Sequence, residues 1–132
     1  MSMSQGGDYV VRLPFESGAA RVARDLVDRL LQDHRVSDET RQDAALVVHE
    51  LVVNALLHGR PDDEHHIEFS TWVAGGQLVI SVLDQGHNGR VAVKPPSQEA
   101  PNGRGLAIVE ALSASWTVDR SAGTRVSAHL PI

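Results

Sequence analysis

Polar side chains interrupt an otherwise apolar stretch in the middle of this 132-residue chain. Within residues 44–57 the only polar ones are His49, Glu50 and Asn54. Glu50, Asn54 and His58 follow one another at intervals of four, so on a helix they lie along one stripe. An ionised carboxylate in apolar surroundings costs free energy unless a partner or a ligand compensates it. Glu50 and Asn54 are therefore candidate functional residues, or else a polar pair satisfied by its neighbours.

Two further features combine polar residues with glycine at places where backbone elements end. Asp84, followed by Gly86, closes a strand that is otherwise apolar. Gly103-Arg104-Gly105-Leu106 stands at the start of a helical pattern, after a long loop. Each feature also has a plain structural interpretation, because Asp starts turns and glycine gives loops their hinges. Their occurrence together, in this order, favours a functional site.

Glu50, Asn54 and His58 form a stripe only if this segment is a helix, and a helix this apolar needs a sheet to pack against. Ser37 is a suitable N-cap for a helix that carries the stripe and stops at Gly59, and its apolar composition predicts burial on all sides. Ser17 is the expected N-cap of an earlier helix over about 18–34. Ala74-Gly75-Gly76 separates two strands and predicts a hairpin. The expected strands are 9–15, 66–73, 77–84, 115–120 and 124–130, and a third helix is expected over 105–113.

This order of elements predicts an α+β fold, a two-layer sandwich of a mainly antiparallel mixed sheet with helices on one face. Residues 1–8 are expected to be a flexible N-terminus, and 9–132 a single domain. The Gly- and Pro-rich loop over about 86–103 is unusually long for a compact domain. Loops of this length are commonly lids or binding loops.

Composition excludes several functional classes. The net charge of −5 disfavours nucleic-acid binding, which needs a basic surface. The sequence has no cysteine, so it offers neither disulfides nor thiolate metal ligands. It shows no signal-peptide pattern and no apolar run long enough to cross a membrane, so we expect a cytoplasmic protein without a membrane partner.

Other familiar motifs fail at particular positions. His49-Glu50 begins the zinc-protease pattern HExxH, but Val53 stands where the second histidine is needed. Gly103-Arg104-Gly105 begins GxGxxG, but Ile108 replaces the third glycine. The histidines 58, 65 and 66 are expected to be surface and turn residues rather than metal ligands.

The surviving features resemble the boxes of the gyrase and histidine-kinase ATPase superfamily (GHKL, the Bergerat fold). Glu50-x-x-x-Asn54-Ala55-x-x-His58 is similar to its N-box, Asp84-Gln85-Gly86 to its first glycine box and Gly103-Arg104-Gly105-Leu106 to its second. Gly123-Thr124 falls where that superfamily has a late threonine. The stretch ELVVNALLHG resembles in particular the stand-alone anti-sigma-factor serine/threonine kinases. One departure is Gly86-His87-Asn88-Gly89, where the first box usually continues Gly-x-Gly.

The resemblance implies two cofactors, ATP and Mg²⁺, and catalytic roles on the stripe. Asn54 would give a side-chain oxygen to Mg²⁺, which takes its remaining ligands from phosphates and water. Glu50 would be the general base that deprotonates a hydroxyl attacking the γ-phosphate. His58, at the end of the same stripe, would lie beside the cofactor or have a purely structural role.

The resemblance also implies nucleotide-binding roles for the other boxes. Asp84 would accept from the adenine amino group, with Thr124 beside it. Gly86, Gly103 and Gly105 would let the backbone approach the nucleotide closely. In the Gly103-Arg104-Gly105-Leu106 box, Arg104 would add positive charge near the phosphates, and the amides opening a helix at 105 would bind phosphate oxygens.

The implied function is an ATP-dependent protein serine/threonine kinase of the anti-sigma type. Such a protein sequesters a sigma factor, phosphorylates an anti-sigma antagonist protein and usually acts as a homodimer. The first helix, with Arg21 and Arg24, would form part of the partner surface. Two alternatives remain: a nucleotide-binding interaction module with little or no kinase activity, and a detached histidine-kinase catalytic domain. The latter is disfavoured because no phosphoacceptor-histidine helix precedes the domain in this sequence.

Overall fold

The computed structural model describes residues 8–86 and 101–132, with the backbone alone for 101–105. The expected flexible N-terminus therefore lies outside the described residues, except for Asp8. The same holds for residues 87–100 of the expected lid, including the His87-Asn88-Gly89 departure. No helix in the described part of the chain is long and apolar enough to cross a membrane.

Within residues 8–86 and 101–132, eight elements follow one another in the expected order, and their bounds differ from the sequence prediction by a few residues. The strands are β1 (Tyr9–Pro14), β2 (His66–Ala74), β3 (Gln77–Asp84), β4 (Ser115–Asp119) and β5 (Thr124–Pro131). The helices are α1 (Ala19–Gln32), α2 (Asp38–His58) and α3 (Pro101–Leu112).

The strands form one sheet in the order β1-β2-β3-β5-β4, and each described pairing is antiparallel. The expected hairpin joins β2 and β3, where Gly75 and Gly76 both have positive φ and Ala74 pairs with Gln77, as a two-residue turn of this kind requires. The predicted α+β sandwich is confirmed.

The core lies between one face of the sheet and the three helices. Alternate residues of the strands point into it, because successive side chains of a strand face opposite sides. Those of β2, β3 and β5 are buried against the apolar faces of α1, α2 and α3. The largest fully buried side chains are Phe69, Leu30, Leu31, Leu51, Ile67, Leu78, Ile80 and Leu130.

Helix α2 begins and ends where the sequence predicts. Ser37 Oγ accepts a hydrogen bond from the Thr40 amide at 3.1 Å and so caps the first turn. Asp38 and Glu39 lie in that turn, where the positive end of the helix dipole favours carboxylates. Gly59 follows His58 as the C-cap.

Two predicted helix starts are wrong. The N-cap of α1 is Gly18 rather than Ser17, and it makes no side-chain capping bond. Helix α3 begins at Pro101, four residues before the predicted Gly105, so residues 101–103 of the expected lid are helical. Proline is well suited to the first position of a helix because its φ is already helical and it lacks the amide that would stay unbonded.

The prediction that α2 is buried on all sides is also wrong. Leu46 and Leu57 on this helix are exposed, Leu57 to 61%. The buried side chains of α2 are Ala44, Val47, Val48, Leu51, Val52 and Ala55. Composition alone overestimated the burial, because only one face of α2 meets the sheet and its flanks meet α1 and α3 incompletely.

Candidate functional site

Asp84 is the polar centre of the site and the last residue of β3. Its side chain lies at the end of the sheet, in a residue only 6% exposed. Asp84 Oδ1 accepts a 2.6 Å hydrogen bond from the Gly86 amide, so the turn-forming interpretation of this residue is correct. The same oxygen accepts from the Arg60 amide at 3.3 Å. Asp84 therefore also holds the segment that follows α2.

The end of α2 is joined to the end of β3 by the backbone as well. The Gln85 amide donates to the Arg60 carbonyl oxygen at 2.8 Å. Sequence reasoning missed Arg60, whose role is carried by its backbone and not by its side-chain type. The available signal was its position directly after the helix that carries the stripe. These bonds fix where that helix ends relative to the sheet.

Thr124 completes this end of the sheet from the neighbouring strand. It pairs with Asp84 across β3 and β5 and is 4% exposed. Its Oγ1 donates to the Gly86 carbonyl oxygen at 2.5 Å. Gly123, just before it, has φ of +88°, a conformation that glycine adopts without strain. The structure thus brings Asp84, Gly86 and Thr124 together; we call these three residues the sheet-end cluster.

Glu50 and Asn54 are arranged differently. Both side chains are half-buried rather than enclosed in the core, which corrects the expected apolar surroundings. Among the described residues, neither has a hydrogen-bonding partner, so they do not form the self-satisfied pair that was the structural alternative. At 1.5 Å per residue, Asn54 lies about 8 Å and Glu50 about 14 Å from Gly59 along the helix axis. The stripe therefore leads away from the sheet-end cluster.

His58 lies at the end of the stripe with an exposed side chain. No group of three or more histidine, cysteine, aspartate or glutamate residues in the described ranges could hold a metal ion. A cation at Asn54 would need most of its ligands from a bound molecule, which suits Mg²⁺ on phosphates.

The second glycine box lies within the first half of α3. The backbone of Gly103, Arg104 and Gly105 is helical there, and Leu106 is buried in the core. Because the first four amides of a helix have no intrahelical acceptor, those of residues 102–104 open α3, and not the amides at 105 as predicted. Leu106 packs α3 against the rest of the core.

A separate groove lies on the other flank of α2. A cavity of about 580 Å³ lies between α1 and α2, and we call it the α1–α2 groove. Arg24 Nη1 lies 2.9 Å from His49 Nδ1 at its edge. Arginine only donates hydrogen bonds, so the imidazole nitrogen accepts. The groove is lined by Phe15, Glu16, Ser17, Ala20, Arg21, Arg24, His49, Val53, Leu56 and Leu57.

Solved structures with a similar fold include chains from three bacteria. The RsbU and RsbW domains of Rv1364c from Mycobacterium tuberculosis match at 24% identity and a TM-score of 0.71, over 94% of this chain and 32% of that one. The SiaB–SiaC complex from Pseudomonas aeruginosa matches at 14% identity and a TM-score of 0.68, over 92% of this chain and 88% of that one. This chain thus spans about a third of the Mycobacterium chain.

A third similar structure is the histidine kinase domain of the blue-light activated histidine kinase EL346 from Erythrobacter litoralis. It matches at 23% identity and a TM-score of 0.57, over 83% of this chain and 60% of that one. No curated protein matches the sequence. The likeness to these three structures supports the fold.

A family model assigns the chain more directly. The model of the histidine kinase-like ATPase domain matches residues 13–130, which include the stripe, the sheet-end cluster and the second glycine box. The resemblance to the GHKL ATPases is confirmed. This chain belongs to the histidine kinase-like ATPase domain family.

Proposed function

We propose that this protein is an ATP- and Mg²⁺-dependent serine/threonine kinase of the anti-sigma type. In this role it sequesters a sigma factor and phosphorylates an anti-sigma antagonist protein. The observation that carries the proposal is one arrangement: a buried, fully assembled Asp84–Thr124 end of the sheet, from which α2 leads Asn54 and then Glu50 outward. A nucleoside triphosphate has its parts in the same order, with the base at one end and the reacting phosphate at the other.

The sheet-end cluster suits the base of ATP. A carboxylate accepts hydrogen bonds and never donates them when ionised. It therefore favours the 6-amino group of adenine over the 6-oxo group of guanine. Gly86, whose backbone bonds Asp84 and Thr124, presents no side chain in front of them. We propose that Asp84 recognises adenine and that Thr124 supports the turn on which that contact depends.

The stripe suits the phosphates and the transfer step. Bound Mg²⁺ would neutralise charge on the phosphates, and the side-chain oxygen of Asn54 is the protein group that would hold it. Glu50 would accept the proton of a serine or threonine hydroxyl as the hydroxyl oxygen bonds to the γ-phosphorus. The bond from that phosphorus to the bridging oxygen breaks, and ADP leaves. That neither residue has a partner in the described structure supports a role in binding a ligand.

We propose that the start of α3 also holds the phosphates. The amides of residues 102–104 have no acceptor within the helix, and together with the positive end of the helix dipole they favour an anion there. Gly103 and Gly105 give the backbone room for close approach. We propose that Arg104 adds positive charge to this anion site.

We also propose that the protein is cytoplasmic, because the sigma factor that it sequesters acts with RNA polymerase in that compartment.

We propose the α1–α2 groove as the surface that binds the antagonist. Val53, Leu56 and Leu57 give it an apolar floor, and Arg21 and Arg24 give it positive charge. A segment with apolar side chains and acidic neighbours is complementary to both features. The α1–α2 groove lies on one flank of α2, the helix that also carries Glu50. A protein docked there could therefore present a hydroxyl to the Glu50 carboxylate.

Substitutions in α1 test this surface. Arg21→Ala should weaken binding of the antagonist, because the arginine is exposed and lines the groove. Arg29→Ala removes an exposed arginine of the same helix that does not line the groove, and should leave binding unchanged. Equal affinities of both variants, measured by calorimetry, would exclude the groove as the docking surface. We also propose that the protein is a homodimer, which sedimentation of the intact protein tests.

Labelled ATP tests the activity itself. The protein is incubated with γ-labelled ATP, Mg²⁺ and candidate antagonist proteins, and the products are separated. Label on serine or threonine of an antagonist supports the kinase. Partner binding that depends on nucleotide, with no label transferred, identifies an interaction module instead. Acid-labile label on histidine identifies a histidine-kinase catalytic domain.

A further inference from the structure

Gly59 occupies a position whose backbone does not require glycine. Its φ of −92° and ψ of −169° are extended values that any L-residue adopts. Helices often end on a glycine in the left-handed conformation, but this one does not. Because the backbone conformation does not require glycine, the requirement must come from the contacts that a side chain at this position would make.

The reason is the carboxylate of Asp84. A Cβ on residue 59 would lie closer than 3.0 Å to both Cγ and Oδ2 of Asp84, and 2.7 Å from the carbonyl oxygen of Ala55. Non-bonded carbon atoms do not approach other heavy atoms so closely. The carboxylate thus fills the space in which any other residue at 59 would have its first side-chain atom.

Asp84 has no room to yield to such an atom. Its Oδ1 is held by the amides of Gly86 and Arg60, and its backbone is paired with Thr124. The residue is also nearly completely buried. A Cβ at 59 would therefore turn the carboxylate or push the end of α2 away from β3.

We infer that Gly59 is a positioning residue that sets the direction of the Asp84 carboxylate for the adenine amino group. The inference depends on the proposed ATP site and adds a specificity determinant to it. It differs from the role of Gly123, where the positive φ already demands glycine and a Cβ would meet backbone atoms of Asp84 and Gln85. A hydrogen bond depends strongly on its angle, so turning the carboxylate would weaken recognition of the base even though Asp84 remains present.

The test compares two nucleotides on three proteins. Affinities for ATP and for purine riboside triphosphate, which lacks the 6-amino group, are measured by calorimetry with Mg²⁺. The wild type should prefer ATP by about 10- to 100-fold, the scale of a hydrogen bond to a charged group. Gly59→Ala should lose most of that preference. Gly18→Ala, at a helix end where a Cβ meets nothing within 4 Å, should retain it.

The ratio of the two affinities separates positioning from general damage. A Gly59→Ala protein that binds both nucleotides more weakly but keeps the wild-type ratio would overturn the inference, because the change would then be structural only. Absence of ATP binding by the wild type would instead overturn the proposed function. The two failures are thus distinguishable.

A second substitution keeps the test decisive if Gly59→Ala does not fold. Asp84→Ala removes the atoms that the new Cβ would meet. The loss of Tm caused by Gly59→Ala should therefore be smaller in the Asp84→Ala background than in the wild type, with each variant compared to its own parent because Asp84→Ala also removes the bonds to Gly86 and Arg60. If the loss is equal in both backgrounds, the contact with Ala55 decides the outcome and the inference is wrong.

Discussion

The two ends of the proposed nucleotide site are built in different ways. At the sheet end, Asp84 and Thr124 are buried and bonded to backbone groups of neighbouring segments. Along α2, Glu50 and Asn54 are half-buried and have no partner among the described residues. The first region is part of the fold, since its hydrogen bonds join β3, β5 and the end of α2. The second contributes little to the fold and gains its function only with a ligand.

This difference predicts which substitutions affect stability and which affect chemistry. Residues that hold the fold together should change Tm and nucleotide affinity together. Substitution of residues that act only on a bound ligand should change nucleotide affinity or phosphate transfer without changing Tm. The following substitutions test this division, from the largest expected effect to the smallest.

Glu50→Gln should reduce phosphate transfer to a cognate antagonist by about 100-fold or more, the scale of a lost general base. Binding of ATP and the Tm should stay close to those of the wild type, because Glu50 has no partner in the described structure. Glu39→Gln, an exposed carboxylate in the first turn of the same helix, is the matched control and should keep full transfer. Undiminished transfer by Glu50→Gln would remove this residue as the base.

Asn54→Ala should weaken binding of ATP in the presence of Mg²⁺ by about 10-fold, a typical effect of losing a group that supports a metal ion. With the metal chelated, the variant and the wild type should bind ATP equally. Calorimetric titration in both conditions measures the difference. An equal loss with and without Mg²⁺ would show that Asn54 contacts the nucleotide without a metal.

Thr124→Val should lower the free energy of unfolding by about 1 kcal/mol, because the buried hydroxyl donates to Gly86. Affinity for ATP should fall with it, since Gly86 also holds Asp84. Thr117→Val on β4 replaces an exposed threonine and should change neither quantity. A Thr124→Val protein with wild-type stability would contradict the assignment of this cluster to the fold.

The smallest effect is expected at an ion pair outside both regions. Hydrogen bonding by Arg12 lowers the pKa of Asp62 from 3.8 to about 2. A lowered pKa in the folded state stabilises the protein above pH 3.8, and the contribution is lost as the pH falls toward 2. Arg12→Ala should therefore flatten the acid limb of the stability curve, followed by circular dichroism. Nucleotide affinity at neutral pH should not change, and a loss there would contradict the separation of this pair from the site.

The sequence predicted the fold well because its signals were local. Ser37 and Gly59 marked both ends of α2, and the paired glycines at 75 and 76 marked the hairpin. The start of α3 was wrong because glycine at 103 and 105 suggested a loop, whereas Pro101 provides a good first residue for a helix. Local signals of this kind do not show which of two compatible starts tertiary packing selects.

The site was only partly predictable. The types and spacing of Glu50, Asn54 and Asp84 identified candidates, but not their surroundings. The exposed flank of α2 at Leu57 depends on how α1 packs, and composition contains no such information. The bonds from Arg60 to Asp84 and Gln85 use backbone atoms, which every residue has, so no residue type could signal them.

The central claim is that the fold itself forms the site for the adenine base, whereas Glu50 and Asn54 act only when a ligand is bound. Its most direct test is calorimetric titration of the intact, folded protein with ATP, with and without Mg²⁺. We predict saturable binding of one ATP per chain that is tighter with Mg²⁺, and an Asn54→Ala variant that loses only the Mg²⁺-dependent part. Absence of any heat of binding for ATP or ADP with Mg²⁺ present would contradict the nucleotide site and leave Glu50 and Asn54 as half-buried polar residues of α2 without a ligand.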